Sequence, residues 1–113
     1  MTPLVRRAAA SDIEEIATIH REAFPRQRDS EAWVKATLSA VPRILTFVLA
    51  LDSSVAGYIF WAQKSGIRPS VVLELDQVAI VSQFRRQGYG ERLIRESLAL
   101  VAAELKGNGQ SLR

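Results

Sequence analysis

The sequence predicts an α+β domain, a mixed α/β sheet with helices on both faces, its elements in the order β-α-α-β-β-β-α. Three observations predict it. Apolar residues recur at helical spacing twice before residue 40 and again after residue 90. Between those stretches the period changes, and apolar, β-branched and aromatic residues run together as in buried strands. The last of these strands then meets the last helix across a polar loop and a pair of glycines. With 113 residues and no linker, repeat or low-complexity tract, one domain spanning 1–113 accounts for the chain.

Leu4 to Arg7 predicts a short first strand. Ser11-Asp12-Ile13-Glu14 reads as a capping box, the serine side chain capping a helix and Glu14 reaching back. Ile13, Ile16, Ala17, His20 and Phe24 follow on one helical face, and Pro25 stops the helix. After a polar loop, Ser30 caps a second helix that carries Trp33, Val34, Thr37 and Leu38 and ends before Pro42. Ile44–Leu51 and Val55–Gln63 predict a hairpin around the turn Asp52-Ser53-Ser54. Lys64 to Ser70 is a loop rich in breakers, and Val71–Val81 predicts one long strand. Ile94, Leu98, Val101 and Leu105 stripe the final helix, which Gly107-Asn108-Gly109 terminates. Gln110 to Arg113 could begin a further strand.

Composition narrows the function. Cysteine is absent, which excludes disulfides, thiolate catalysis and cysteine metal sites and points to a reducing cytoplasm. A single histidine, His20, argues against a histidine-built metal site or a Ser-His-Asp triad and reads as a packed core histidine. The longest apolar run, Val55 to Ala62, is far below the ~20 residues of a membrane helix, and the N-terminus lacks a signal-peptide pattern. The net charge is +3 and the pI about 9.8, with twelve of the fifteen basic residues arginine. Those arginines lie dispersed among acids, Arg6-Arg7 reading as solvated surface; the bias is towards small anions, and no nucleic acid is expected.

The informative segment is Val78 to Ile94. It is a strand, a basic loop, Gly88 and Gly90 spaced by one residue, and an amphipathic helix. The start of a helix offers unpaired N–H groups and a positive dipole end, glycines admit a ligand close to the backbone, and Arg85 and Arg86 add charge. Together they predict an anion cradle for a phosphate or pyrophosphate. It is not the dinucleotide fingerprint, because Leu93 replaces the third glycine, and no Gly-Lys-Ser/Thr tripeptide exists for a phosphate loop of the Walker type.

Arg85-Arg86-Gln87-Gly88-Tyr89-Gly90 resembles the Gln/Arg-x-x-Gly-x-Gly/Ala signature of the GNAT superfamily of N-acetyltransferases. Val5-Arg6-Arg7-Ala8 with Asp12 looks like that family's opening strand and first helix, and Gly57-Tyr58-Ile59 like its third strand. Ala23-Phe24-Pro25 followed by Trp33 looks like the branch that acetylates protein N-termini, the RimI-like enzymes. The resemblance implies a GNAT-like acyl-CoA N-acyltransferase fold and acetyl-coenzyme A as co-substrate, without metal. By position, Val78, Ala79 and Ile80 would contact the pantetheine arm, and Arg85, Arg86, Gln87, Gly88, Tyr89, Gly90 and Glu91 would form the pyrophosphate loop. Tyr89 itself reads as packing at the helix start.

Acetyl transfer to an amine needs a base, and a carboxylate near the acetyl group is the usual one. Glu74 and Asp76 lie two apart on the predicted strand and hence on one face. Glu74, fourteen residues before Gly88, falls where histone-acetyltransferase members place their base and is the favoured of the two. The family continues beyond this helix with another strand, a helix and a hairpin, so the resemblance implies a C-terminally truncated domain. Such a domain would leave the edge of the Val71–Val81 strand unpaired and uncover Leu98, Val101 and Leu105, either of which invites a homodimer. The expected function is transfer of an acetyl group to a primary amine, whether a protein N-terminus, a lysine or a small amine. The alternatives are a module that binds acyl-coenzyme A or a partner chain without turnover and, from pI and arginine content alone, an RNA-associated protein.

Overall fold

A computed structural model describes residues 2–64 and 69–112. Strand β1 (Pro3–Arg7) leads through a 3-10 turn at Ala10–Asp12 into α1 (Ile13–Ala23) and α2 (Ser30–Ser39). Strands β2 (Ile44–Leu51) and β3 (Ser54–Gln63) form the expected hairpin. β4 (Ser70–Val71), β5 (Leu73–Ile80), α3 (Tyr89–Gly107) and β6 (Ser111–Leu112) complete the chain. β1, β2, β3 and β5 make one antiparallel sheet in that order, while β4 and β6 pair in parallel as a separate two-stranded ribbon. The parallel part of the predicted mixed sheet is confined to that ribbon.

The predicted strand from Val71 to Val81 is therefore two strands. Val72 turns its carbonyl to the amide of Lys64 (2.8 Å), so β4 can leave the sheet and pair with β6, whose Ser111 amide also reaches the carbonyl of Pro69 (2.9 Å). Only from Leu73 onward does the chain pair with β3.

Alternation along the central strands sends side chains into two cores. On the α3 side, Phe47, Leu49, Ile59 and Trp61 pack with Leu93, Val101 and Leu105. On the other, Val48, Tyr58 and Phe60 pack with Ile16, Ala17, Ile19 and Val34. Covered on both faces, β2 and β3 read as near-continuous apolar runs. Trp61 donates its indole N–H to Ser97 Oγ (2.9 Å), pinning α3 across β3.

Several local expectations are corrected. The buried line of α3 is Leu93, Ser97, Val101 and Leu105, so Val101 and Leu105 are covered and Leu98 is half-buried, and the predicted uncovering of the helix does not occur. Asp12, not Ser11, organises the start of α1. Its carboxylate accepts the Ala9 amide (2.7 Å) and takes both ends of the Arg6 guanidinium (2.8 and 2.9 Å). Arg6 is thus a structural partner of a buried acid rather than solvated surface, and it holds the Asp12 carboxyl below the ordinary carboxylate range. Ser30 caps nothing: Asp29, at φ 54°, precedes α2, and the Ser30 hydroxyl turns inward to His20. Trp33, expected on the packed face of α2, is exposed, while Val34 and Thr37 are buried.

Candidate active site

β5 is hydrogen-bonded to β3 on one side; on the other, no strand pairs with it among the described residues. Its backbone there is an open row of donors and acceptors. Val78 and Ile80 oppose Ile59 and Gly57 and pack on the α3 side, and Ala79 opposes Tyr58 on the other. A side chain at Gly57 would press into Ile80 Cδ1 and the Ala79 carbonyl, so this glycine lets the two strands meet closely.

Past Ile80 the chain makes a 3-10 turn over Ser82–Phe84 and then two left-handed residues, Arg86 (φ 64°) and Gly88 (φ 80°). Gly88 caps α3, and the first α-helical bond runs from the Arg92 amide to the Gly88 carbonyl (3.1 Å). The amides of Tyr89, Gly90 and Glu91 precede that bond and have no intrahelical acceptor. A Cβ at Gly88 or Gly90 would meet nothing within 4 Å. At Gly88 the backbone itself demands glycine; at Gly90, which is helical, neither the backbone nor a neighbour does. A helical glycine costs about 0.5–1 kcal/mol against alanine, and here the open space over the first turn is what it leaves. Tyr89 packs edge-on against Phe84, ring centroids 6.3 Å apart, as its position predicts.

The two loop arginines differ. Arg85 donates Nε–H to the Ile80 carbonyl (2.9 Å), and its Nη2 lies 3.7 Å from Glu22 Oε1 on the last turn of α1. The same Glu22 oxygen accepts the Ser82 amide (3.2 Å). Arg86 is exposed and has no ion-pair partner among the described residues. Gln87 donates to the Gln83 carbonyl (3.4 Å), and Glu91 lies exposed beside Arg95.

Glu74 and Asp76 sit towards the other end of β5, both exposed. Glu74 pairs with Lys64 (3.0 Å). Leu75 opposes Trp61 and Gln77 opposes Phe60, which leaves Asp76 without a partner at a bulge. The bulge shifts the alternation: Leu73 packs with the α3-side core before it, Val78 and Ile80 after it. Glu74 opposes Ala62 before the bulge, and Asp76 stands at the bulge itself. Next to the bulge, Gln77 Oε1 accepts the Tyr58 hydroxyl (3.1 Å); Tyr58 is fully buried, and that burial raises its pKa above the ordinary phenol range and keeps it neutral.

The model of the acetyltransferase (GNAT) family matches residues 13–110. The chain belongs to the GNAT family. Solved structures agree in fold. A GNAT family acetyltransferase from Brucella melitensis in complex with acetyl-CoA superposes with a TM-score of 0.68 at 25% identity, covering 96% of this chain and 71% of that one. A ribosomal-protein-alanine N-acetyltransferase from Brucella melitensis biovar Abortus 2308 gives 0.75 at 15% identity, covering 99% and 79%. An aminoglycoside acetyltransferase from an uncultured soil metagenomic sample, in complex with sisomicin, gives 0.71 at 18%, covering 97% and 74%. No curated protein matches.

Two features around β5 leave no signal in the sequence. Glu22 reads in the sequence as one more polar residue of α1, and its partners are 60 residues away. The Asp76 bulge carries no glycine or proline to announce it. His20 is packed as its position among apolar residues predicts: it is buried, its Nδ1 lies 2.8 Å from Ser30 Oγ, its ring centroid lies 5.2 Å from that of Phe24 with the rings tilted, and burial holds its pKa below the usual value.

Proposed function

We propose that this GNAT protein is an N-acetyltransferase that moves an acetyl group from acetyl-coenzyme A to a primary amine. The observation that carries the reading is the open first turn of α3, where Gly90 has no intramolecular reason to be glycine, beside the unpaired edge of β5. The pyrophosphate takes the amides from Gly88 to Glu91 with Arg86 beside them, and the loop from Arg85 to Gln87 forms the rest of the cradle. The pantetheine arm runs back along Ile80, Ala79 and Val78. Among the described residues no group of His, Asp and Glu side chains could hold a metal ion.

A carboxylate of β5, Glu74 first and Asp76 second, takes a proton from the acceptor ammonium. The freed amine attacks the thioester carbonyl, the carbon–sulfur bond breaks, and the thiolate leaves and takes up a proton. Strand amides next to the carbonyl would stabilise the developing oxyanion. The neighbours named above for ribosomal-protein alanine and for aminoglycosides support an amine acceptor in general, a protein N-terminus, a lysine or a small amine. The unit is one domain over 1–113 that works in the cytoplasm, and no helix among the described residues is long and apolar enough to cross a membrane. A homodimer would form along the free edge of β5 or over α3; a monomer mass by light scattering at all concentrations would remove it.

The second reading, an acyl-coenzyme A-binding module without turnover, is favoured by the exposure of both carboxylates and by the Lys64 pairing of Glu74. Thiol release from acetyl-coenzyme A over a panel of amines separates the two. Amine-dependent release supports the transferase; binding without release under any amine supports the module; neither binding nor release overturns both.

A further inference from the structure

We propose that Glu22 is a positioning residue for the loop that leads into α3, and that through it Arg85 shapes the loop rather than binding phosphate, leaving Arg86 as the loop's phosphate-facing cation. The inference rests on the coenzyme A reading of that loop. Glu22 stands on the last turn of α1, and its Oε1 receives the Ser82 amide at 3.2 Å and faces Arg85 Nη2 at 3.7 Å. Arg85 also commits its Nε–H to the Ile80 carbonyl at 2.9 Å. One carboxylate and one guanidinium thus join three places: the end of β5, the start of the 3-10 turn and the end of α1.

The next residue shows what the junction holds. Arg86 keeps a left-handed backbone at φ 64° although it is not glycine, a conformation that persists only where its surroundings impose it. On one side of it stands the Glu22–Arg85 junction; on the other, Gln87 reaches the Gln83 carbonyl and Gly88 turns left-handed into α3. The junction fixes where the bend begins and so where the first-turn amides point. An arginine tied at both Nε and Nη2 must break those contacts to seat a phosphate. Arg86, exposed and without an ion-pair partner among the described residues, breaks none. Glu22 and Arg85 are each about half exposed in their side chains (47% and 49%), so their pairing adds little to global stability. Its effect should appear in affinity.

The test is calorimetric titration of coenzyme A into the full chain and its variants at several salt concentrations, with Tm measured in parallel. Glu22→Ala and Arg85→Ala should each weaken binding roughly tenfold with Tm near that of the parent protein. The double variant should be no weaker than either single one, because both remove the same junction. Glu22→Gln, whose amide oxygen can still accept the Ser82 N–H, should retain most of the affinity, and it keeps the proposal testable should Glu22→Ala fail to fold. Salt sensitivity should fall in Arg86→Ala and stay unchanged in Arg85→Ala. Additive losses, or a lost salt sensitivity in Arg85→Ala, would make Arg85 a phosphate ligand and overturn the proposal. Parent-like affinity in Glu22→Ala would remove Glu22 from it. If the parent protein bound no coenzyme A at all, the reading of the loop would fail first and this inference with it.

Discussion

At its C-terminal end β5 runs into a loop whose shape is imposed from several sides: Arg85 on Ile80, Glu22 on Ser82, two left-handed residues and a helix start open above two glycines. At its N-terminal end the same strand carries two exposed carboxylates, one beside a surface lysine and one at a bulge. The two ends are about 20 Å of strand apart from Glu74 to Ile80, and about 13 Å from Asp76. In the proposed reading the first end is shaped before a ligand arrives, because its donors are backbone amides fixed by the fold. The second has exposed acids, and the base role proposed for them depends on bound substrates bringing the acceptor amine within their reach. Binding and turnover should therefore separate under mutation.

The largest effect belongs to the held end. Gly88→Asp puts a side chain at φ 80° and a like charge over the anion cradle, and should weaken coenzyme A binding more than about 100-fold by calorimetry. Binding equal to that of the parent would mean that the cradle lies elsewhere. At the other end, Glu74→Gln and Asp76→Asn, tested singly, should leave coenzyme A affinity unchanged while one of them, Glu74→Gln by preference, lowers the chemical step by about 10²-fold or more. Unchanged single-turnover rates in both would remove the carboxylate base from this strand.

The contrast also explains what the sequence could show. The strand, loop and glycine-led helix start were legible because their requirement is local: a glycine pair at the start of an amphipathic helix after a strand is a run of consecutive residues, Val78 to Ile94. The hairpin was legible for the same reason, as was His20 among apolar residues at helical spacing. What stayed hidden depends on partners far along the chain. Arg6 looked like surface until Asp12 was placed against it, and Glu22 had no visible role until Ser82 and Arg85 came to α1. The split of the predicted Val71–Val81 strand required β6 to compete for Ser70 and Val71, and the bulge at Asp76 is set by pairing with β3 rather than by its own residue type.

Smaller effects should fall on the fold while sparing both ends of β5. Asp12→Asn removes the charged acceptor of Arg6 and should cost about 1.5–3 kcal/mol in urea unfolding, with coenzyme A affinity unchanged; a loss of affinity would tie the start of α1 to the site. Asp12 has a folded pKa below its ordinary 3.8, so its contribution is present above that value and disappears as the pH falls through the folded pKa. His20 adds a milder dependence at higher pH. Its burial lowers its pKa below the ordinary 6.5, so between the two values the unfolded chain holds the extra proton. Stability should be full above pH 6.5 and decline on acidification below it, and His20→Gln should flatten that decline. A parent protein equally stable across that window would show that His20 does not stay neutral in the fold.

The central claim is that the space over the first turn of α3 belongs to a ligand, and Gly90→Leu tests it most directly. Nothing within 4 Å opposes the added Cβ, and the backbone there is already helical. Opposite signs are expected from one substitution: Tm rises by about 2–4 °C because a helical glycine is replaced, while coenzyme A binding weakens about tenfold or more because the leucine side chain, unlike the methyl of the alanine that the signature admits at this position, reaches into the ligand's place. A variant that gains stability and binds coenzyme A as tightly as the parent would contradict it.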